Sequence, residues 1–226
     1  MTLSIAAHCR KAGMFGLAVA SSSPAVAARC SHVCETGAVA TQNITDPRLG
    51  LLGLEALNQG RTADETLAQL LERAGPARAF RQLTIVDHNG ETAAFSGVKT
   101  LGIHATAQGD GVVTAGNLLR HDGVPAAMIA HFTAASAQLH FGERLIGAMQ
   151  AGLDAGGEAG PIHSIGLKIV HEQPWPLVDL RVDWHDIDPL AELKRLWAIY
   201  APQMDDYVIR ALDPTKAPSF GVPGDT

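Results

Sequence analysis

The sequence predicts an α+β fold in which two antiparallel sheets are covered by helices. Three observations carry that prediction. Apolar runs of strand length come in hairpin-like pairs, helical periodicities come in pairs between them, and no phosphate-binding glycine fingerprint follows a strand. Glycine clusters such as Gly109-Asp-Gly111 lack that spacing, so a parallel, doubly wound nucleotide-binding sheet is a poor fit.

Each element has a local reason. Thr2 to Ala7 is β-compatible, and Phe15 to Ser21 follows the turn-like Arg10-Lys-Ala-Gly13, which suggests a hairpin with one buried face. Gly37 to Gln42 is a third strand. From Leu49 the period changes: Leu51, Leu54 and Leu57 fall at helical spacing, with Gly60 as a stop. Thr62-Ala-Asp-Glu65 reads as a capping box that opens a helix carrying Leu67, Leu70 and Leu71. Arg81 to Asp87 and Glu91 to Gly97 flank His88-Asn-Gly90, whose Asn-Gly pair suits a tight primed turn. Gly111 to Gly116 is a small-residue strand. Helices over Pro125–Ser136 and Gln138–Ala155 end at Gly156-Gly157. Strands return at Ser164–Val170 and Leu177–Asp183, and Asp188 caps a last amphipathic helix with Leu190, Leu193, Leu196 and Trp197 on one face. Residues 1–212 read as a single domain, and residues 213–226 as an extended tail rich in Pro and Gly.

Composition narrows the function. The 226 residues are 46% hydrophobic and 18% charged, as in an ordinary globular chain. A net charge of -6 without a basic block argues against nucleic acid as a partner. No apolar run approaches the ~18 residues of a spanning helix. The start lacks a secretory signal, and three cysteines give no disulfide framework, so the expectation is a cytoplasmic protein without a membrane partner.

Several segments together resemble one family. Thr2-Leu-Ser-Ile5, Gly16 to Ser21, Ala40-Thr-Gln42 with Pro47 and Gly50, Arg81-Gln82, Gly116-Asn-Leu118 and Asp179 to Asp183 with Asp188-Pro189 are similar to the bacterial domain-of-unknown-function family 1028. Trp184 departs from the acidic residue common there. That family resembles the N-terminal-nucleophile (Ntn) hydrolases. The resemblance implies a four-layer αββα sandwich, while the family's own reaction is unassigned.

Thr2 gives such a fold a chemistry. Methionine is trimmed when a small residue follows, and the exposed Thr2 then carries a hydroxyl and a free α-amine. With an ordinary pKa of about 7.7–8.0, that amine accepts the hydroxyl proton near neutral pH. The expected reaction is hydrolysis of an amide or peptide-like bond in a small substrate, without a cofactor. If Met1 is retained, the amine sits on the wrong residue and Thr2 is simply a strand residue.

The sequence offers further candidates. Asn117 either donates to an oxyanion or satisfies a turn. Ser21 and Ser22 end a strand where they can line a substrate cleft. Arg29 either binds a substrate carboxylate or lies on the surface. Asp179, Arg181 and Asp183 alternate along a strand and read as a structural ion-pair network. Cys30-Ser-His32-Val-Cys34 lacks the firm zinc spacings, and none of the ten histidines forms a metalloprotease pair, so no metal is expected. The competing class is a non-catalytic binding or assembly protein on the same scaffold. Either class is compatible with a homodimer or higher homo-oligomer.

Overall fold

A computed structural model describes residues 1–219. Among the described residues ten strands form two antiparallel sheets. The first holds β1 (Thr2–Cys9), β2 (Met14–Ser21), β7 (Ala105–Gly109), β8 (Val112–Asn117), β9 (Ser164–Val170) and β10 (Pro176–Val182), in the order β10-β9-β2-β1-β8-β7. The second holds β3 (Ser31–Cys34), β4 (Gly37–Asn43), β5 (Arg81–Asp87) and β6 (Thr92–Ser96), in sequence order.

Strand alternation explains the layering. On β1, Leu3, Ile5 and Ala7 face outward into an apolar cluster shared with α4 (Val124–Ala134), α5 (Phe141–Asp154) and α6 (Pro189–Tyr200). Ala6 faces the other way, toward Leu17, Val19 and Val113 of its own sheet and Ala38, Ala40 and Val86 of the second. The outer face of the second sheet, with Val39, Leu83 and Ile85, packs on Leu49, Leu57 and Leu70 of α2 (Pro47–Asn58) and α3 (Ala63–Ala74). Helices, sheet, sheet, helices: the four layers are those the resemblance implied.

Local chemistry accounts for the boundaries. Asp46 caps α2 by accepting from Arg48 N, with Pro47 at the first helical position. Thr62 and Glu65 form the reciprocal capping box of α3. Asp188 accepts from Ala191 N at the start of α6.

Some details differ from expectation. The β5–β6 turn is not a primed turn, because of Asn89 and Gly90 only Gly90 has a positive φ (80°). Gly90 N donates to Asp87 O, and Asp87 Oδ1 accepts from the N–H groups of Asn89 and Glu91, so an acidic cap holds a wider loop. Four elements lacked a clear periodic signal: the five-residue α1 (Val26–Cys30), β3, the small and polar β7, and α7 (Met204–Leu212). Pro214–Lys216 form a 3-10 turn, so the tail is not extended throughout, and its residues 220–226 lie outside the described residues. No described helix is long and apolar enough to cross a membrane.

Candidate functional site

The space between the sheets changes character along its length. At one end it is aliphatic, around Ala6, Leu17 and Val19. At the other end the same inward positions carry Thr2 and Ser4 on β1, Ser21 on β2, Asn117 on β8, Gln42 on β4, and Gln82 and Thr84 on β5. All seven are buried. A row of polar side chains inside a sandwich is costly unless each is satisfied, so this end is built for something other than packing.

Thr2 sits at the centre of that row. The β1–β8 ladder sets it directly against Asn117, and the β1–β2 register, carried one step past Leu3–Ala20, sets it against Ser21. Thr2 Oγ1 donates to Met1 O at 2.5 Å, and Ser21 Oγ donates to the same carbonyl. Ser23 Oγ lies 2.9 Å from Ser21 Oγ and accepts from Arg29 Nη2 at 3.1 Å. Arg29 Nη1 donates to the carbonyls of Pro24 and Ala25. A chain of contacts therefore runs from the Arg29 guanidinium through two serines to the amino-terminal peptide. Ser22 does not join it; its N–H donates to Glu158 Oε2 at 3.3 Å.

Asn117 belongs to a buried carboxamide cluster. Gln82 Oε1 accepts from Asn117 Nδ2 at 3.0 Å and from Gln42 Nε2 at 2.8 Å, while Gln82 Nε2 donates to Ser96 Oγ and Gly116 O, both at 3.0 Å. Gln82 is fully used, yet Asn117 Oδ1, Gln42 Oε1, Ser4 Oγ and Thr84 Oγ1 are buried without a partner. Unpaired acceptors beside Thr2 mark polar capacity that the fold itself does not consume.

An open cleft of about 330 Å³ leads to Thr2, lined by Met1, Thr2, Ser23, Arg29, Cys30, Asn43 and Thr45 among others. A cleft of about 360 Å³ on the α2–α3 surface, at Leu52, Gln69, Glu72 and Arg73, has one buried unpaired oxygen, Gln69 Oε1, and no Ser, Thr or Cys among these residues to act as a nucleophile. The described non-glycine residues with positive φ fall around the Thr2 cleft: Ala25 (51°) precedes α1, Asn43 (71°) lines the cleft, and Leu118 (52°) follows Asn117. Asn43 is held by donating to Phe80 O and accepting from Leu101 N.

The remaining candidates lie elsewhere. Asp179 pairs with Lys168 of β9 at 3.2 Å and Arg181 with Asp183 at 3.6 Å, two separate pairs on a partly exposed face. Such pairs contribute little. Cys30 Sγ approaches Thr45 and Cys34 Sγ approaches Thr36, and among the described residues no group of three metal-ligating side chains forms.

Sequence reasoning passed over Gln42 and Gln82 as site residues, and over Glu158 altogether. The glutamines did carry a signal, since each occupies an inward strand position where its neighbours two residues away are Ala40 and Thr84. Glu158 stands in the glycine-rich loop after α5, where nothing in the sequence distinguishes it from a solvated acid.

The fold and cleft define an αββα sandwich with an amino-terminal strand residue buried at the inter-sheet opening. Residues 2–193 match the family described as "Family of unknown function (DUF1028)", and the chain belongs to it. A crystal structure of a Silicibacter pomeroyi protein of that family is similar at 28% identity and a TM-score of 0.83, covering 91% of this chain and 89% of that one. Anbu from Hyphomicrobium sp. strain MC1 aligns at 10% identity and a TM-score of 0.41, over 97% of this chain and 100% of that chain. A Gly-1 mutant of the same protein aligns at 11% and 0.44, over 92% and 99%. No curated protein matches the sequence.

Proposed function

We propose that the chain is an Ntn-type hydrolase that cleaves an amide or peptide-like bond of a small substrate, with Thr2 as nucleophile once Met1 has been removed. The observation that carries the reading is the position of Thr2: inward-facing, between Ser21 and Asn117, at the mouth of the cleft.

Each neighbour then has a task. The Thr2 α-amine takes the hydroxyl proton as Oγ1 attacks the acyl carbon, and later gives a proton to the leaving nitrogen. The resulting acyl-enzyme ester is released by water. Ser21, whose hydroxyl holds the Met1 carbonyl, is free after trimming to hold a substrate carbonyl in the same place. Asn117 has a second amide hydrogen beyond the one given to Gln82, which suits it to a developing oxyanion. Arg29, braced by Ser23 and two carbonyls, gives the cleft a fixed positive charge. Ser22 lends its N–H to Glu158 and is not among the residues that line the cleft, where Ser23 stands instead.

The test is intact-mass spectrometry of native protein, followed by reaction with a β-lactone and peptide mapping. The expected result is a chain beginning at Thr2 that is acylated there, with labelling lost in Thr2→Ala. A native chain that retains Met1 and resists acylation would instead favour a non-catalytic binding protein on the same scaffold.

A further inference from the structure

Glu158 lies in the loop after α5, and its carboxylate belongs to neither the carboxamide cluster nor the serine chain. Its backbone pairs with Leu119, two residues beyond Asn117, and Ala159 N donates to Leu118 O at 2.8 Å. On the opposite flank, Oε2 accepts from Ser22 N. Ser21 O accepts from His163 N on the β9 side, so by alternation Ser22 turns its N–H toward the β1 side. The carboxylate therefore stands in the track of β1, beyond Thr2, bridging the ends of the two strands that flank it.

That placement leaves one oxygen idle. Glu158 is 4% exposed, and its Oε1 has no hydrogen-bond partner. Burial pushes the carboxyl up to about 8, against the downward pull of the amino-terminal charge and the Ser22 N–H. A buried carboxylate with a free oxygen needs a donor, and the group nearest in kind is an amine at the end of β1.

We propose that Glu158 is the positioning residue for the α-amine of Thr2: its free Oε1 accepts an N–H from that amine, and the two groups share one proton. The inference rests on Thr2 being the amino terminus of the working protein, as proposed above. With the shared proton on the carboxyl oxygen, the amine lone pair faces the Thr2 hydroxyl. As Oγ1 bonds to the acyl carbon, the hydroxyl proton moves to the amine and the carbonyl π pair moves onto oxygen. When the C–N bond breaks, the amine passes that proton to the leaving nitrogen, and Glu158 ends as it began. Other ionisable groups near this end are Asp188, which shares a cavity of about 260 Å³ with Glu158, Arg29 on the cleft wall, Arg120 and His121 beside Gly156, and His163 next to Ser164.

The experiment uses full-length protein released from a cleavable amino-terminal fusion, so that Thr2 is terminal whatever happens to Met1 in the cell. Carbamylation of the Thr2 α-amine by cyanate is followed by peptide mass spectrometry from pH 5 to 9.5, for the wild type, Glu158→Gln and Glu158→Asp. The Glu158→Gln change keeps the size and removes the charge, so the amine's midpoint is expected to fall by about one pH unit, since a carboxylate partner favours the ammonium form. Glu158→Asp is expected to restore part of that shift. Cooperative thermal unfolding of each variant establishes that it is folded.

An unchanged midpoint in folded Glu158→Gln overturns the proposal. The β-lactone reaction, run on the same samples, separates the two ideas. A shifted amine midpoint without acylation keeps Glu158 as the amine's partner and removes the hydrolase reading, whereas acylation with an unshifted midpoint does the reverse.

Discussion

Thr2 and Asn117 face each other across the β1–β8 ladder, and both side chains point into the space between the sheets. Directly opposed residues of an antiparallel pair hold their Cβ atoms about 4.5–5.5 Å apart, so neither can move without the other. Any chemistry at Thr2 thus takes place beside a carboxamide whose own nitrogen is anchored to Gln82.

Replacing Asn117 with Ala should separate structure from reactivity. Gln82 Oε1 keeps its donor from Gln42, so the stability cost is expected to be modest, about 1–2 kcal/mol by urea unfolding. Acylation of Thr2 is expected to slow by about 10²-fold, the loss that follows removal of one oxyanion donor. An equal loss of rate and of folded fraction would assign Asn117 to packing alone.

Gln82 carries the opposite balance. It joins β5 to β8 through Gly116 O, to β6 through Ser96, and to Gln42 and Asn117 through its carbonyl oxygen. Gln82→Leu deletes four hydrogen bonds and leaves two amide nitrogens buried without an acceptor. The expected loss is at least about 3 kcal/mol, because an orphaned buried group costs about 1–3 kcal/mol. For a chain of this size that lowers Tm by roughly 6–12 °C. A Gln82→Leu protein that melts within 2 °C of wild type (about 1 kcal/mol) would mean that water replaces the lost partners.

The architecture was legible because its strongest signals are local. The Thr62–Glu65 capping box, the Asp188 cap and the aliphatic runs of β1, β2, β5 and β9 all read directly from residue order. The short elements α1 and β3 were not legible, since five residues and four residues carry too little periodicity. At the site, Thr2, Asn117 and Ser21 came through the family resemblance and strand ends. Glu158 did not, because it is brought to β1 only by the loop that pairs Glu158 with Leu119, a contact between residues 39 apart in the chain. Likewise, the alternation of Asp179, Arg181 and Asp183 fixes their common face, yet the pairing partner of Asp179 is Lys168 on the neighbouring strand.

Glu158 also links stability to pH. Its carboxyl is raised from an ordinary 4.5 to about 8 in the fold, so between those values the folded state binds more protons than the unfolded one. The contribution is fully present below about pH 4.5 and is lost as pH rises through 8. Glu158→Gln, which cannot ionise, is therefore expected to gain on wild type between pH 6 and 9, by more than about 1 kcal/mol at the upper end. Urea midpoints measured across that range give the difference directly, and parallel curves for the two proteins would show that the buried carboxyl ionises freely.

His32 works in the other direction and tests the α2 face of the second sheet. Burial, with a smaller push from Lys168, lowers its imidazole from 6.5 to about 4. The unfolded chain then binds the extra proton between about pH 6.5 and 4, and stability falls as pH drops through that window, by up to ~3 kcal/mol. His32→Gln should flatten this limb of the curve. The same ring lies over Gly50 of α2, where an added Cβ would come within 2.1 Å of Nδ1. Gly50→Ala alone is expected to cost about 1–3 kcal/mol through overpacking. Combined with His32→Ala, which vacates the space, the cost should shrink, giving a coupling energy of about 1–2 kcal/mol in a double-mutant cycle. Strict additivity of the two changes would mean that helix α2 shifts away from the sheet instead of pressing on the ring.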